Sequence, residues 1–341
     1  ATGLPTFGPL GSSLSNVGIS QSSIDSALAI SRDVWGFNGG TATTPASVDL
    51  EVKDTLLKLD WNISDTHRAS VRYAKTEQTE PFIVGFSATG LSTSSYWYNQ
   101  VKEIESLVGQ WFADWTPDIS TELKVSRRDY ASRPIPFTGD ALPQVGLRFS
   151  GALPAGTPAG VSSNNRFLNL GTERSRHFNI LETQTDDIYA GATWNLGAHE
   201  LKFGLDYSKN EVFNAFLQDT NGQYTFACEP GTYTFGTFAS CNDMTAQQRE
   251  LATLENYRKG LPSFYQVQAP LAGKTLADGA GIWSIANTGV FVQDSWKLSS
   301  AFSLMLGLRL DQQNVPTAPQ FNAAAAAAPV QGTVVGGVYT R

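Results

Sequence analysis

Three histidines and two cysteines are the residues of this chain best suited to act as bases, nucleophiles or metal ligands. His67, His177 and His199 lie far apart, and none has the His-Glu-x-x-His spacing by which a helix presents two histidines to zinc. His67 and His199 adjoin predicted turns, where a solvated histidine is a better interpretation than a metal ligand. The sequence also lacks Cys-x-x-Cys, a phosphate-cradling Gly-Lys-Ser and Gly-x-Ser-x-Gly. We therefore expect a protein that is not an enzyme and needs no cofactor or metal.

The two cysteines, Cys228 and Cys241, lie in one long connector with twelve residues between them. In an oxidising compartment we expect a disulfide, which would stabilise the folded chain by about 3 kcal/mol through loop entropy. In the cytosol they would be two free thiols. Asp186 and Asp187 stand at the start of a predicted strand, where one site and a solvated pair are both compatible with the sequence.

Alternation of apolar and polar residues organises the chain, and it is clearest in Thr288–Asp311. From Val290 onward, every second residue of the two strands is apolar apart from Asp294, on both sides of a turn that begins at Ser299. Successive side chains of a strand point to opposite faces, so the pattern predicts a hairpin with one apolar face. A soluble sandwich would give this pattern, and so would a membrane-spanning barrel, whose strands need about 9–11 residues each. The length of the strands favours the barrel.

This hairpin occurs four times, and each copy has a tryptophan beside its short turn. Indole is apolar with one polar group, and short turns are typical of the periplasmic side of outer-membrane barrels. We therefore predict a periplasmic-side aromatic girdle, with four unrelated core tryptophans as the alternative. The girdle would consist of Trp61, Trp115, Trp194 and Trp296, beside turns that begin at Ser64, Thr116, Gly197 and Ser299.

The face opposite each apolar row carries charged side chains. A barrel of eight strands fills its interior with side chains, whereas a wider barrel encloses a polar or plugged lumen. The charges therefore predict a transmembrane antiparallel β-barrel of which four or more hairpins are present, with long extracellular loops; an antiparallel sheet with one solvated face is the alternative. The charged residues are Lys58, Asp60, Arg68, Arg72, Glu122, Lys124, Lys202, Asp206, Lys297 and Arg309.

Composition narrows the class of protein. With 41% hydrophobic residues, 16% charged residues and 31 glycines, the chain suits an all-β fold with many turns. No apolar run approaches the roughly 18 residues of a membrane-spanning helix. The net charge of −7 argues against nucleic-acid binding, which favours a basic surface. No signal sequence opens the chain, which is interpreted as mature, trimmed or an excised piece.

Long connectors rich in Gly, Ser and Pro separate the hairpins. A compact soluble domain seldom has such connectors unless they are functional or disordered. In the last of them, Thr245 and Gln248 have the spacing of a capping box and Gly260 is placed to end a helix. Ile24–Trp35, in the segment that precedes the first hairpin, could be a short helix or strand. Tyr96–Tyr98 is interpreted as outer girdle aromatics, with stacking of a ligand at a loop base as the alternative.

Three segments resemble a known family. The stretch around the last turn, GVFVQDSWKLSSAFSLMLGLRLD, resembles barrel hairpins of TonB-dependent outer-membrane transporters, in which Gln-Asp-x-Trp-x-Leu precedes the turn and Gly-Leu-Arg-x-Asp ends the next strand. Two more are similar to the Oar-like branch, which carries Trp-Asn hairpins: KLDWNISDTHRASVRY and TQTDDIYAGATWNLGAHELKFGLDYSKNE. The likeness covers about Asp49–Asp311.

The resemblance implies uptake of a scarce ligand, such as a siderophore, oligosaccharide or peptide, through a plugged barrel of about 22 strands in the outer membrane of a Gram-negative bacterium. Its partners would be outer-membrane lipid, the TonB-ExbB-ExbD complex and the ligand, and not nucleic acid. The plug, the TonB box and the end of the barrel are not recognised, so residues 1–341 are interpreted as part of a single receptor barrel domain. The alternatives are a surface adhesion or assembly protein without transport and, third, a soluble all-β enzyme.

Overall fold

The computed structural model describes residues 17–45, 47–139, 141–151, 153, 155–228, 240–318, 323, 333–335 and 338–340. These residues form three sheets and two α-helices. In chain order the elements are α1 (Gln21–Asp33), β1 (Glu51–Asn62), β2 (His67–Phe82), β3 (Gly90–Ser92), β4 (Tyr98–Thr116), β5 (Ile119–Pro136), β6 (Gln144–Phe149), β7 (Arg166–Leu170), β8 (Phe178–Leu196), β9 (His199–Leu217), β10 (Gln223–Ala227), α2 (Ala246–Lys259), β11 (Phe264–Gln266), β12 (Gly281–Lys297), β13 (Ser303–Asn314), β14 (Thr333–Val335) and β15 (Val338–Thr340).

The main sheet has eight strands in the order β1-β2-β4-β5-β8-β9-β12-β13, and every neighbouring pair is antiparallel. Within the described residues the sheet is open, with β1 and β13 at its edges. Its strands are 12 to 19 residues long. A strand of about 9–11 residues crosses a membrane, so the central strands are long enough to extend well beyond one. The predicted all-β antiparallel fold is confirmed.

The four hairpin turns lie at one end of the main sheet, and the predicted positions of the turns are correct. In three turns a Ser or Thr hydroxyl accepts a hydrogen bond from a backbone N–H two or three residues further on, which fixes a tight bend. In the fourth, Gly197 has a φ of 63°, a left-handed conformation that glycine adopts without strain. The three hydroxyls belong to Ser64, Thr116 and Ser299.

The opposite end carries a second, five-stranded sheet in the order β11-β10-β6-β7-β3. Its strands come from all three long connectors, and α1 and α2 pack beside it. We call this part the loop cap; it comprises the described residues of 17–50, 83–97, 137–177 and 218–280. All four segments are predicted to be connectors, whereas together they form a folded unit.

The hydrophobic core of the described residues lies in the loop cap and not against the main sheet. Most of its members are aliphatic, several of them from α1, β6 and β7, and Leu254 and Tyr257 contribute from α2. Burial of such side chains is the main stabilising term available to this unit. The core comprises Val17, Ile19, Ile24, Ala27, Leu91, Val145, Leu147, Phe149, Leu168, Leu170, Phe226, Leu254 and Tyr257.

Both helices arise from local signals. The hydroxyl of Ser20 caps α1 by accepting from the N–H of Ser23. At the start of α2, Thr245 and Gln248 form the predicted capping box, and at its end Gly260 has a φ of 68°. The helix predicted there is confirmed, and Ile24–Trp35 is largely helical. Neither described helix has the length and apolarity that a membrane-spanning helix needs.

Candidate functional site

The ten charged residues predicted to share one face of the hairpins do so. Directly paired residues of neighbouring strands lie on the same face of a sheet, and the pairing can be followed from strand to strand. Asp60 pairs with Ser70, Ser70 with Gln110, and Gln110 with Lys124. The same rows continue through β8, β9 and β12 to Asp311. The register therefore gathers these charges on a single polar face.

The other face of the main sheet is apolar and accessible. Leu57, Leu59 and Trp61 in β1 are 65%, 75% and 65% exposed, and Leu306 in β13 is 59% exposed. A contiguous exposed apolar surface of this kind is unfavourable in water and marks contact with a partner or a membrane. These leucines are therefore not packed inside a globule, as the soluble alternative requires.

The apolar face is bounded by a belt of charges towards the loop cap. In β2 and β4 the last apolar row is Tyr73 with Leu107, and the next row on that face is Lys75 with Glu105. Lys75 also lies 3.4 Å from Glu103. From Leu107 to Trp115 the strand rises roughly 20 Å along the barrel axis, at about 3.4 Å per residue and a tilt of about 40°. This height is close to the ~25 Å apolar band of outer-membrane barrels.

The four predicted girdle tryptophans lie at the turn end of this face. Each is within the last three residues of its strand, and each has the same parity as the apolar row of that strand. Their indoles are exposed by 38% to 65%. The structure thus brings Trp61, Trp115, Trp194 and Trp296 to one end and one face of the sheet.

A cavity of about 530 Å³ opens in the loop cap between the ends of α1 and α2 and the second sheet. Its lining, as far as the structure describes the chain, contains no charged side chain. Its wall is mostly aromatic, with aliphatic residues, two prolines and Gly260 between the rings. The aromatic residues are Trp35, Phe37, Tyr224, Phe226, Tyr257 and Tyr265.

The floor of this cavity is fixed by hydrogen bonds. Tyr257 is 1% exposed, and its hydroxyl lies 2.8 Å from the Ser31 hydroxyl; burial raises the pKa of Tyr257 to about 12. The indole Nε1 of Trp35 donates to the carbonyl of Tyr257 at 3.1 Å. A Cβ at Gly260 would come within 2.9 Å of the Trp35 ring. Gly260 therefore both ends α2 and makes room for the tryptophan.

Residues 32–339 match the family described as "Outer membrane beta barrel domain". The chain belongs to this outer-membrane β-barrel family. Family membership places the protein in the outer membrane of Gram-negative bacteria, and the exposed apolar band of the sheet agrees with lipid contact.

The fold is similar to parts of larger solved structures. Copper transporter OprC has 12% sequence identity and a TM-score of 0.40, over 77% of this chain and 28% of that one. The FrpB iron transporter from Neisseria meningitidis, in its F5-1 variant apoprotein form, has 13% identity and a TM-score of 0.39, over 79% and 31%. Its F3-3 variant has 15% identity and a TM-score of 0.38, over 83% and 34%. The chain thus spans about a third of the length of these structures. No curated protein matches it.

The three histidines of this barrel protein do not come together. The His67 ring stacks on Trp111 at 5.7 Å, and His199 stacks on Trp296 at 5.0 Å. Nδ1 of His199 also lies 2.8 Å from Oδ2 of Asp294, the residue that interrupts the apolar row. His177 is 7% exposed within the loop cap. The expectation of solvated turn histidines is met in part: both lie at hairpin turns and are partly exposed, the His199 side chain by 39%, while each ring stacks on a tryptophan.

The adjacent aspartates of β8 do not form a shared site either. Asp186 and Asp187 point to opposite faces of β8, since they are adjacent in a strand. The Asp187 carboxylate accepts from the Ser126 hydroxyl at 3.2 Å. Across the part of the chain that the structure describes, no group of three or more His, Cys, Asp or Glu residues could hold a metal ion.

The girdle interpretation of Tyr96–Tyr98 is wrong. Trp97 is 2% exposed at the base of the loop cap, and its indole Nε1 donates to the Ser92 hydroxyl at 2.8 Å. Phe137 packs edge-on against it at 6.0 Å. The charged belt separates these rings from the apolar band, so they stabilise the cap rather than contact lipid.

Cys228 and Cys241 form the expected disulfide. Cys228 directly follows β10, and Cys241 shortly precedes α2, so the bond ties the second sheet to the helix. Near this bond, the side-chain amide of Asn256 donates to the carbonyl of Ala227 at 2.7 Å. The aromatic cavity has no signal in the sequence, because its rings come from separate segments with no shared spacing.

Proposed function

We propose that this protein is part of an outer-membrane receptor that takes up a scarce ligand, such as a siderophore, oligosaccharide or peptide, driven by the TonB-ExbB-ExbD complex. The observation that carries the proposal is the separation of faces in the main sheet. One face offers lipid an apolar band, and the other offers ten charged side chains to an aqueous interior. The resemblance of the hairpin motifs to TonB-dependent transporters, and to their Oar-like branch, supports the same function.

The loop cap supports capture of a ligand before transport. It lies at the end opposite the short turns, which is the extracellular end of an outer-membrane barrel. Its own core and its disulfide make it a folded unit rather than a set of loose loops. A preformed cavity in such a unit suits binding from the medium. The plug and the coupling to TonB would belong to the rest of the receptor.

A second candidate function, adhesion without transport, is favoured by one surface of the cap. Residues 261–271 expose several large apolar side chains in succession. An exposed apolar patch of this kind is typical of a surface that binds another macromolecule. Its members are Leu261, Phe264, Tyr265, Val267 and Leu271, of which Leu271 is 80% exposed.

Cells that produce the full receptor provide the test. The growth medium is supplied with ferrichrome, maltoheptaose and a pool of tripeptides. After growth, mass spectrometry measures how much of each compound remains in the medium of the receptor strain, a receptor deletion and a strain without ExbB-ExbD. Uptake predicts that a compound is depleted only when both receptor and ExbB-ExbD are present. Depletion that ignores ExbB-ExbD, or no depletion of any compound in the medium, contradicts transport. Surface attachment that survives loss of ExbB-ExbD would then identify adhesion.

A further inference from the structure

We propose that the aromatic cavity of the loop cap binds an uncharged, planar aromatic group. The proposal deepens the uptake function and rests on it for the fate of the ligand, since the group would be recognised here before transport. The occupant is either a small aromatic molecule or the aromatic part of a larger ligand.

The absence of charge from the lining selects an uncharged group. Moving an ion into an apolar site without a partner is strongly unfavourable, and among the described residues no lysine, arginine, aspartate, glutamate or histidine lines this cavity. A charged metal chelate or a free amino acid would lose its hydration there without compensation. The ten charged residues of the polar face lie on the main sheet instead.

The partly exposed aromatic rings of the wall select a planar group. Tyr257 forms the floor and is fully covered, whereas Trp35 and Tyr265 are 44% and 51% exposed. Tyr224 and Tyr265 already stand with ring centroids 4.7 Å apart. Aromatic rings prefer offset or edge-on contacts with other rings at centroid distances of about 4.5–7 Å. A flat ring system entering beside Trp35 and Tyr265 would make such contacts on two sides.

The shortage of polar atoms argues against a carbohydrate. A sugar buried in a protein needs partners for its hydroxyls. The Trp35 Nε1 is already bonded to the Tyr257 carbonyl, and the Tyr257 hydroxyl to Ser31. Burial and, to a smaller extent, hydrogen bonding to Tyr265 raise the pKa of Tyr224. The remaining capacity suits a ligand with one or two polar atoms, and the volume of about 530 Å³ is in the usual range for small-molecule sites.

Equilibrium dialysis of the full chain in lipid nanodiscs tests the proposal. The ligands are coumarin as an uncharged bicyclic aromatic, maltose as a sugar and naphthalene-2-sulfonate as a charged aromatic, each corrected for binding to empty nanodiscs. We expect saturable binding of coumarin and at least tenfold weaker binding of the other two. Trp35→Ala and Tyr265→Ala should each weaken coumarin binding about tenfold, the scale of one lost aromatic contact.

Trp283→Ala is the matched control, because Trp283 is 42% exposed and lies outside the cavity. Tyr265 is half exposed, so its variant keeps the test informative if Trp35→Ala does not fold. The proposal is overturned if coumarin fails to saturate, if maltose or the sulfonate binds better, or if the two cavity variants behave like the control. Coumarin binding in a receptor that takes up nothing would contradict the uptake function alone. Uptake without coumarin binding would contradict the aromatic site alone.

Discussion

Arg309 of β13 reaches across β12 and forms a two-pronged ion pair with Asp206 of β9. Its Nη1 lies 2.7 Å from one carboxylate oxygen and its Nη2 lies 3.0 Å from the other. The register places Gly289 of β12 directly between Asp206 and Asp311. A Cβ on Gly289 would collide with the Arg309 guanidinium. Because Gly289 has no side chain, the three strands can share one charge network on the polar face.

Gly289→Ala should therefore break the contact between Arg309 and Asp206. We expect a small decrease in the urea midpoint of unfolding in lipid vesicles, because the pair is partly exposed and Arg309 can swing away. Asp206→Asn should lower the urea midpoint when it is introduced alone, and should lower it little further when Gly289→Ala is already present. Gly307→Ala is the control, since its Cβ would meet its neighbours at ordinary distances of 3.5 Å or more. Fully additive effects of Gly289→Ala and Asp206→Asn would disprove the link.

An arginine on the apolar face should destabilise the barrel, whereas one on the polar face should not. Val292 lies on the apolar face of β12 and is 48% exposed, in the row that contains Phe203 and Leu308. Val292→Arg should cost about 2–4 kcal/mol, the range for arginine near the bilayer midplane. Ser295→Arg is the control, because Ser295 faces the other side and pairs with Glu200. The folded fraction is measured by heat-modifiable gel migration against urea. Equal losses in the two variants would contradict the assignment of the faces.

The faces of the main sheet were predictable because lipid contact imposes one rule on every membrane-spanning strand. Leu57, Val292 and Leu306 all follow the two-residue period, and the register aligns them without any further signal. Strand ends were less predictable. β2 continues to Phe82 and β5 to Pro136 within predicted connectors, because backbone hydrogen bonds sustain pairing in water where side-chain alternation is no longer required.

The loop cap was not predictable because its structure depends on contacts between distant segments. β6 pairs in parallel with β10, so Val145 is opposite Tyr224, and nothing in either short stretch specifies the other. The cavity has the same origin, since Trp35, Tyr257 and Tyr265 meet only once the cap has folded. The helix α2 is the exception: its capping box and terminal glycine are local signals and gave a correct prediction.

The four tryptophans at the turn end should lie at the periplasmic interface of the membrane. The prediction is tested by tryptophan fluorescence in asymmetric vesicles whose inner leaflet carries phospholipids brominated near the headgroup. Changing the four to Phe should remove most of the quenching by these lipids, because the indoles that prefer this interface are lost. Trp35→Phe is the control and should leave the quenching intact, since Trp35 lies in the cap. Quenching that persists in the fourfold variant would contradict the girdle. The residues are Trp61, Trp115, Trp194 and Trp296.

Acid should loosen the loop cap through His177. Burial lowers the pKa of His177 below its usual value near 6.5, while hydrogen bonding to the Thr172 carbonyl and the charges of Asp219 and Glu173 act in the opposite direction. The ring Nδ1 accepts from the backbone N–H of Asn221 at 3.2 Å, so the folded cap holds the neutral form. The unfolded chain binds a proton that the folded cap does not, between the lowered pKa and about 6.5.

The contribution of His177 to the stability of the cap should therefore be fully present above pH 6.5 and should be lost as the pH falls below it. The total loss is about tenfold in the folding equilibrium for each unit by which folding lowers the pKa of His177. Hydrogen exchange at the Asn221 amide between pH 7 and pH 5, corrected for intrinsic rates, measures the change. His177→Gln should flatten this pH dependence, because the variant cannot titrate. His67→Gln, outside the cap, should retain it. A flat profile in the unmodified protein, or an unchanged slope in His177→Gln, would show that another group controls the response of the cap to acid.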